Sequence, residues 1–209
     1  MLGLTTTHMS IAERKQKEKQ EMSKLILDGA RKIFLEKGYE HTSMRNIANE
    51  INYSPGSLYF YYKDKSEIFH ELHEEGFHIL MGRLKVLAKV ADPFERLKAI
   101  GLIFIDFAQD HRDYYNLMFI VDERVQPAKP GFQIAQVAIS YLAGVLEECQ
   151  AKGRFKGMDL EYLTFMFLSS VHGICALFCK DRTSSFINKT NEELMLNGYD
   201  CFLALLERG

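Results

Sequence analysis

The sequence has no tryptophan and only four prolines in 209 residues. Proline interrupts helices, so its scarcity leaves room for long helices without a break. Segments in which β-branched residues alternate with polar residues, the pattern of a half-buried strand, are also scarce. These two shortages predict an all-α fold.

A strong excess of charge of either sign is missing as well, since the formal net charge is −2 at pH 7. The charges are nevertheless unevenly distributed. Residues 1–65 hold 11 Lys and Arg against 8 Asp and Glu, whereas residues 66–209 hold 15 against 20. This asymmetry suits an amino-terminal nucleic-acid-binding domain attached to an acidic body.

Cysteine is rare, and its four occurrences all lie in helical patterns late in the chain: Cys149, Cys175, Cys179 and Cys201. No charged segment followed by an apolar one, as in a secretory leader, precedes them. We therefore expect a cytoplasmic protein whose thiols stay reduced and act as small buried hydrophobic groups.

The most informative stretch runs from residue 42 to residue 65. Its first part predicts a short helix whose buried face is formed by Met44, Ile47, Ala48 and Ile51. Thr42 or Ser43 would cap this helix. Asn52 follows, and asparagine tolerates the left-handed backbone conformation that a tight turn needs.

A second helix is predicted directly after this turn. Ser54 would cap it, and Pro55 would occupy its first position, where a missing N–H is harmless. The small residues Gly56 and Ser57 leave its amino end bare. The two elements predict a helix-turn-helix, with Ser54–Tyr61 as the helix that enters the DNA major groove.

This stretch resembles the DNA-binding domain of TetR-like repressors over about Leu25 to Phe69. The matching positions are Gly38-Tyr39, Thr42-Ser43, Arg45, Ile47-Ala48, Ser54, Gly56, Leu58-Tyr59, Tyr61-Tyr62 and Lys65. Ile51-Asn52 departs from the usual Ala-Gly of the family, and Tyr62 from the usual Phe. Both departures keep the physical role of the position.

The resemblance implies a three-helix DNA-binding domain in residues 1–65 and a helical effector-binding and dimerisation domain in residues 66–209, with about nine helices in all. It further implies a homodimer that binds a palindromic DNA operator and is released by a small, mostly apolar effector. The expected DNA-binding residues are Thr42, Ser43, Arg45, Ser54, Pro55, Gly56, Ser57, Tyr59, Tyr61 and Lys65.

The segment before this domain is rich in charges of both signs. Ser10 could cap a helix there, and residues 1–20 are expected to be partly flexible. One interpretation is an exposed extension without further role. The alternative is that Arg14, Lys15, Lys17 or Lys19 reaches phosphates or a minor groove, as basic arms do in other DNA-binding proteins.

After Lys65 a helix is predicted from Ser66 to about Val90, followed by one from Pro93 to Gln109 and a short one from Arg112 to Ile120. The segment from Asp122 to Gly131 is the best candidate for a loop. Aromatic residues in this region either form the core or line an effector cavity. The candidate cavity residues are Phe104, Phe107, Tyr115, Met118, Phe119, Tyr141 and His172.

Two late helices are more apolar than a single buried face requires. Residues 162–179 contain no formal charge, a length that approaches a membrane span. Polar residues within it favour a helix buried between a core and a second subunit, so no membrane is expected. With the last helix it would form a four-helix bundle across a two-fold axis. The expected interface residues are Phe167, Val171, Ile174, Phe178, Leu194, Tyr199, Phe202 and Leu203.

No catalytic motif or convergent acid–base set is visible, so no enzyme activity and no cofactor are expected. His172, Cys175 and Cys179 share one helical face, which raises the question of zinc. Their apolar neighbours favour packing instead, and no metal is expected. A helical-bundle enzyme, or a metal- or cofactor-binding protein, is the alternative to a DNA-binding regulator.

Overall fold

A computed structural model describes residues 10–121, 130–186 and 188–207. These residues form nine α-helices and two short 3-10 helices and contain no strand, which confirms the predicted all-α fold. The predictions for Met1–Met9 and for most of the loop from Asp122 to Gly131 fall outside the described residues. The helices are α1 Ile11–Lys37, α2 Met44–Glu50, α3 Pro55–Leu58, α4 Lys65–Leu84, α5 Pro93–Asp110, α6 Arg112–Phe119, α7 Pro130–Ala151, α8 Leu160–Cys179 and α9 Asn191–Glu207.

The chain divides into two compact units, one ending at Phe69 and the other beginning at His70. The sequence had placed its domain division after Lys65. Helix α4 begins in the first unit and continues in the second.

The core of the first unit is built on the carboxyl half of α1. Ile26, Ala30, Ile33 and Phe34 are buried there, at the spacing of one helical face. The Phe34 ring meets the Phe69 ring edge-on at 5.0 Å between centroids. The helix ends at Gly38, whose φ of 76° lies in the left-handed region that glycine reaches without strain.

The amino half of α1 is exposed from Ile11 to Glu21. Ser10 caps the helix as predicted, since its hydroxyl accepts the Glu13 N–H while the Glu13 carboxylate accepts the Ser10 N–H at 2.7 Å. The segment up to residue 20, expected to be partly flexible, is helical from Ile11 onward, and this reciprocal cap stabilises the start of the helix.

In the second unit, α5, α7 and α8 pack against one another and α9 packs on α8. Asp92 and Asp159 cap α5 and α8 through their carboxylates. Helix α4 ends at Leu84 and a 3-10 helix continues from Lys85 to Lys89, instead of one helix to Val90. The carbonyl of Val90 accepts two N–H groups of Arg96, which fixes the chain where it turns towards α5.

Helix α8 is the one described helix that is long and apolar enough to cross a membrane by length and composition. Core helices pass the same test, and Phe167, Val171 and Cys175 of α8 are buried within the second unit. Cys149 and Cys179 are buried as expected of small hydrophobic groups. Cys201 is exposed on α9, so the expectation of four buried thiols was wrong at that position.

Candidate nucleic-acid interface and apolar cavity

Helix α2 is held at its amino end by Ser43. The Ser43 hydroxyl accepts the Asn46 N–H at 3.2 Å, and the Asn46 side chain accepts the Ser43 N–H at 3.0 Å. Thr42 was the other candidate cap, but it is buried and its hydroxyl donates to the Gly38 carbonyl at 2.7 Å. Thr42 therefore ties the end of α1 to the start of α2, and its hydroxyl is engaged within the domain.

The turn after α2 has the geometry that the sequence predicted. Asn52 adopts a φ of 58°, in the left-handed region. The Tyr53 N–H donates to the Ala48 carbonyl at 2.9 Å, which closes the turn. The Ile51 side chain packs directly on Gly29 of α1, where any larger residue would collide with it. The turn is thereby fixed against α1.

Helix α3 is capped by Ser54, whose hydroxyl accepts the Ser57 N–H at 3.2 Å and lies 2.9 Å from the Ser57 hydroxyl. Pro55 occupies the first helical position, as predicted. The helix ends at Leu58, so the predicted end at Tyr61 was wrong. The Leu58 carbonyl accepts the N–H groups of both Tyr61 and Tyr62, which tightens the chain into turns and lets Tyr62 enter the core.

Several residues of this region are exposed. Arg45, Ser43, Ser54 and Gly56 reach solvent, and Tyr59 is 57% exposed. Sequence reasoning missed Phe60, which is 87% exposed, together with Tyr53 and Lys63. The run of five aromatic and apolar residues from Leu58 to Tyr62 was the available signal, because a four-residue helix cannot bury them all.

The environment of the Lys65 ammonium group differs from that of a lysine that is free to bind a DNA phosphate. Its ammonium group donates to the Tyr39 carbonyl at 2.7 Å and to the Glu40 carbonyl at 3.3 Å. The same group lies 4.3 Å from the centre of the Tyr39 ring. Lys65 therefore joins the start of α4 to the segment between α1 and α2.

The second unit encloses an apolar cavity of about 100 Å³ between α4, α5, α6, α7 and α8. Its lining comprises Phe77, Leu80, Leu84, Ile100, Phe104, Phe119, Ala135, Ala138, Ile139, Leu142, Leu168 and His172. Three of the candidate cavity residues are among them: Phe104, Phe119 and His172. Among these lining residues only His172 carries a hydrogen-bonding side chain.

His172 is held in place by aromatic rings and by one phenol. Its ring lies edge-on to Phe104 and Phe119, at 4.7 and 4.6 Å between centroids. The Tyr115 hydroxyl lies 3.2 Å from Nδ1 of His172 and 3.2 Å from its carbonyl oxygen. Burial lowers the pKa of His172 to about 4, so the imidazole is neutral at pH 7.

The other four candidate cavity residues lie outside the lining. Phe107 is fully buried in the core, and Tyr115 stands behind His172. Met118 packs against Gly76, where no side chain would fit. The Tyr141 hydroxyl is buried without a hydrogen-bond partner among the described residues, and burial raises its pKa.

A second apolar cavity, of about 380 Å³, lies among the end of α7, the start of α8 and the end of α9. Sequence reasoning did not anticipate it. Its lining includes Phe155, Tyr162, Met166, Phe167 and Phe202. Tyr162 and Met166 are also exposed on the outer face of α8, beside Phe165.

The expected interface residues fall into two groups. Phe167, Val171, Tyr199 and Leu203 are buried within their own chain, and the Tyr199 hydroxyl donates to the Lys98 carbonyl at 2.9 Å. These four side chains stabilise the subunit itself. The other group is half-buried and comprises Ile174, Phe178, Leu194 and Phe202.

Among the described residues, no three His, Cys, Asp or Glu side chains are placed to hold a metal ion. Burial raises the pKa of Cys175 to about 12 and that of Cys179 to about 11, so both remain thiols at pH 7. The Cys179 thiol lies 3.7 Å from the Ala108 carbonyl. These side chains pack within the core.

Two family descriptions match the chain: residues 26–72 match "Bacterial regulatory proteins, tetR family", and residues 97–194 match "Tetracyclin repressor-like, C-terminal domain". Together they cover more than half of the sequence. The first match contains the helix-turn-helix and the second contains most of the cavity lining.

The chain is 36% identical over 64 residues to the HTH-type transcriptional regulator AcrR of Shigella flexneri, which is 31% of this chain and 30% of that protein. It is 37% identical over 57 residues to the biofilm operon icaADBC HTH-type negative transcriptional regulator IcaR of Staphylococcus epidermidis, which is 27% of this chain and 31% of that protein. The matches thus span less than a third of either relative.

The fold is similar to that of the transcriptional regulator FadR from Bacillus subtilis, solved in complex with stearoyl-CoA. The TM-score is 0.70 at 17% identity, over 87% of this chain and 96% of that one. The helix-turn-helix geometry and the two family matches lead to the same conclusion. This chain belongs to the TetR-like family of helix-turn-helix transcriptional regulators, which are DNA-binding regulators and not enzymes.

Proposed function

We propose that this protein is a cytoplasmic repressor that binds a palindromic DNA operator as a homodimer and is released by a small, uncharged, mostly apolar effector. The observation that carries the DNA-binding part is the exposed turn at the start of α3, where Ser54 and Gly56 face solvent beside Tyr59. The name of the relative IcaR, a negative regulator, supports the direction of control.

In this proposal α3 enters the major groove, as the second helix of a helix-turn-helix does. Ser57 and the exposed guanidinium of Arg45 approach bases or phosphates from adjoining helices. Ser43, Tyr59 and Tyr61 hold the phosphate backbone and fix the register, with Lys63 as the added cation. Thr42 and Lys65 act indirectly, since their polar groups hold the domain together.

The homodimer is proposed to form through the outer faces of α8 and α9. Phe165 and Met166 are exposed on α8, as is Leu205 on α9. Tyr162, Phe165 and Met166 are spaced as one exposed apolar face of α8, and such a face is typical of an interface. The 380 Å³ cavity beside Tyr162 and Met166 is apolar, so a second copy that covers it would remove further apolar surface from water.

The lining of the 100 Å³ cavity defines the proposed effector. It offers aromatic and aliphatic walls, one neutral imidazole and no charged side chain. A charged ligand would lose its hydration there without a compensating partner, so the effector is expected to be uncharged. An engineered cavity of roughly 150 Å³ admits benzene, so a ligand of about one ring is the expected scale.

His172 would supply the single directional contact. If the Tyr115 hydroxyl donates to the His172 carbonyl, Nδ1 carries the imidazole hydrogen and Nε2 is an acceptor. If it donates to Nδ1, Nε2 carries the hydrogen and is a donor. In the first case Nε2 can accept a hydrogen bond from a phenol, an alcohol or an amide N–H. In the second case Nε2–H can donate to a phenol, alcohol, amide or ketone oxygen. A stearoyl chain does not fit in about 100 Å³, so the ligand of FadR is not carried over.

Release of the protein from DNA requires that the effector bind one conformation of the protein better than another. Helix α4 supplies a direct covalent connection, because it runs without a break from the first unit to Phe77, Leu80 and Leu84 in the cavity wall. A tenfold loss of DNA affinity needs only about 1.4 kcal/mol of coupling.

The DNA-binding proposal can be tested by selection from a pool of randomised 30-base-pair duplexes, followed by gel shifts. We expect enrichment of a palindrome, and Tyr59→Ala should weaken binding to it without changing the melting temperature. A protein that enriches no sequence would contradict the proposal.

The effector proposal can be tested by titrating the protein–palindrome complex with uncharged single-ring compounds such as phenol, benzyl alcohol and acetophenone, and with benzoate as the charged comparison. We expect one or more of the uncharged compounds to release the DNA and benzoate not to release it. Release by benzoate alone would overturn the uncharged class.

A further inference from the structure

Helix α1 is longer than its packing requires. Its buried residues begin at Ile26, while residues 11–21 are all exposed and project about 16 Å as helix. The projection is helical from Ile11, and the reciprocal cap between Ser10 and Glu13 stabilises this end.

One face of α1, referred to as the stripe, is buried in the carboxyl half of the helix and carries lysines in the projecting part. Residues 15, 19, 22, 26, 30 and 33 follow one another at steps of three or four and therefore share one face. Along this stripe Ile26, Ala30 and Ile33 are buried, Met22 is half-buried, and Lys15 and Lys19 are exposed. The two lysines thus point to the side on which the rest of the first unit packs.

The opposite face carries a different set of charges. Residues 17, 21, 24 and 28 share it and are all exposed. Lys17 pairs there with Glu21 at 3.8 Å. Lys15 and Lys19, by contrast, have no ion-pair partner among the residues that the structure describes.

The direction of the projection follows from contacts with α2. Thr42, just before α2, bonds to Gly38 at the carboxyl end of α1, whereas Glu50 at the end of α2 pairs with Lys32 at 2.6 Å and Ile51 packs on Gly29. The two helices therefore run antiparallel. The amino half of α1 extends past the end of α2, the end at which the turn leads into α3.

On the basis of the DNA-binding role proposed above, we propose that Lys15 and Lys19 bind backbone phosphates of the duplex that α3 enters. The two ammonium groups are one helical turn apart, about 6 Å along the axis, so they can engage separate phosphates of one strand. A surface that binds a protein partner is expected to be apolar. The exposed part of the stripe carries two cations instead, which suits the phosphates of DNA. These contacts add affinity without sequence preference.

The test compares two double variants that remove the same charge from opposite faces of one helix. Lys15→Gln/Lys19→Gln removes the inner pair, and Lys17→Gln/Lys24→Gln removes the outer pair. Glutamine keeps the helix propensity close to that of lysine. Affinity for the selected palindromic duplex is measured by fluorescence anisotropy between 50 and 200 mM salt, with circular dichroism to verify that both variants fold.

Two phosphate contacts lower the salt slope by about two units, so wild type should lose about tenfold more affinity over this range than the inner variant. The outer variant should match wild type. Equal slopes for both variants, whether lowered or unchanged, would overturn the assignment. The proposed function has a separate outcome: it fails if wild type selects no duplex, whereas this inference fails if wild type binds and the two faces behave alike.

Discussion

The ammonium group of Lys65 donates to the carbonyl oxygen of Tyr39 at 2.7 Å, across 26 residues of sequence. A basic residue at the end of a DNA-binding motif is easily taken for a phosphate ligand. Here its charge is satisfied within the domain by two carbonyls and the face of an aromatic ring. Lys63, two residues earlier, is the exposed cation of the pair.

Lys65→Ala is therefore expected to destabilise the protein by about 1–2 kcal/mol, because it removes two charge-assisted hydrogen bonds. Its effect on the salt dependence of DNA binding should be small. Lys63→Ala is the matched control and should show the reverse: an unchanged melting temperature and a salt slope lower by about one unit. Thermal unfolding and salt titrations of both variants decide the assignment, which fails if Lys65→Ala lowers the slope and leaves stability unchanged.

The sequence was sufficient to identify the fold and the helix caps. Ser10 and Ser54 cap the helices for which they were predicted, because capping depends on residues only three positions apart. Which residues line the cavity depends on tertiary contacts. Phe104 and Phe107 are both aromatic residues of α5, yet only Phe104 reaches the cavity. Their neighbours on other helices make this difference, and no local pattern records them.

The dimer proposal predicts different outcomes for two phenylalanines of α8 that are two residues apart. Phe165 is 66% exposed, so Phe165→Glu should leave the subunit folded and place a charge in the proposed interface, where it has no partner. Phe167 is 3% exposed and packs on Phe202 at 5.7 Å between centroids. Phe167→Glu should therefore unfold the subunit.

Sedimentation velocity and circular dichroism distinguish these cases. We expect a dimer for wild type, a folded monomer with weakened operator binding for Phe165→Glu, and loss of helical signal for Phe167→Glu. A Phe165→Glu protein that remains fully dimeric would show that the interface lies elsewhere.

The effector proposal predicts that His172→Phe weakens the response to ring compounds that carry a hydroxyl or carbonyl group. Phenylalanine fills a similar volume but cannot hydrogen-bond, so DNA binding without effector should be retained. Phe107→Leu is the control, because Phe107 is buried outside the cavity lining; it should lower stability and leave the effector concentration for half-release unchanged. Equal effects of both variants on half-release would contradict the role of His172.

Stability should fall as the pH drops from about 6.5 to about 4. Burial lowers the pKa of His73 and of His172 from 6.5 to about 4, and the Leu117 carbonyl near His73 only partly opposes this. Between these values the unfolded chain binds protons that the folded chain does not, so unfolding becomes more favourable as the pH falls. The stability that depends on neutral His73 and His172 is fully present above about pH 6.5.

Each histidine contributes at most about 3 kcal/mol to this loss. Urea unfolding of wild type and of His172→Phe between pH 4 and pH 7 measures the dependence. The variant should lose less stability over this interval than wild type does. Identical pH profiles would show that His172 is not held neutral by the fold.

In the proposed function, two copies of this chain read a palindrome with their α3 helices. Hydroxyl-radical footprinting on the selected duplex, at a measured ratio of protein to DNA, tests it most directly. We expect two symmetric protected segments whose centres lie about one helical turn, roughly 34 Å, apart, with two protomers per duplex. A single protected segment saturated by one protomer, or protection that does not depend on sequence, would contradict it.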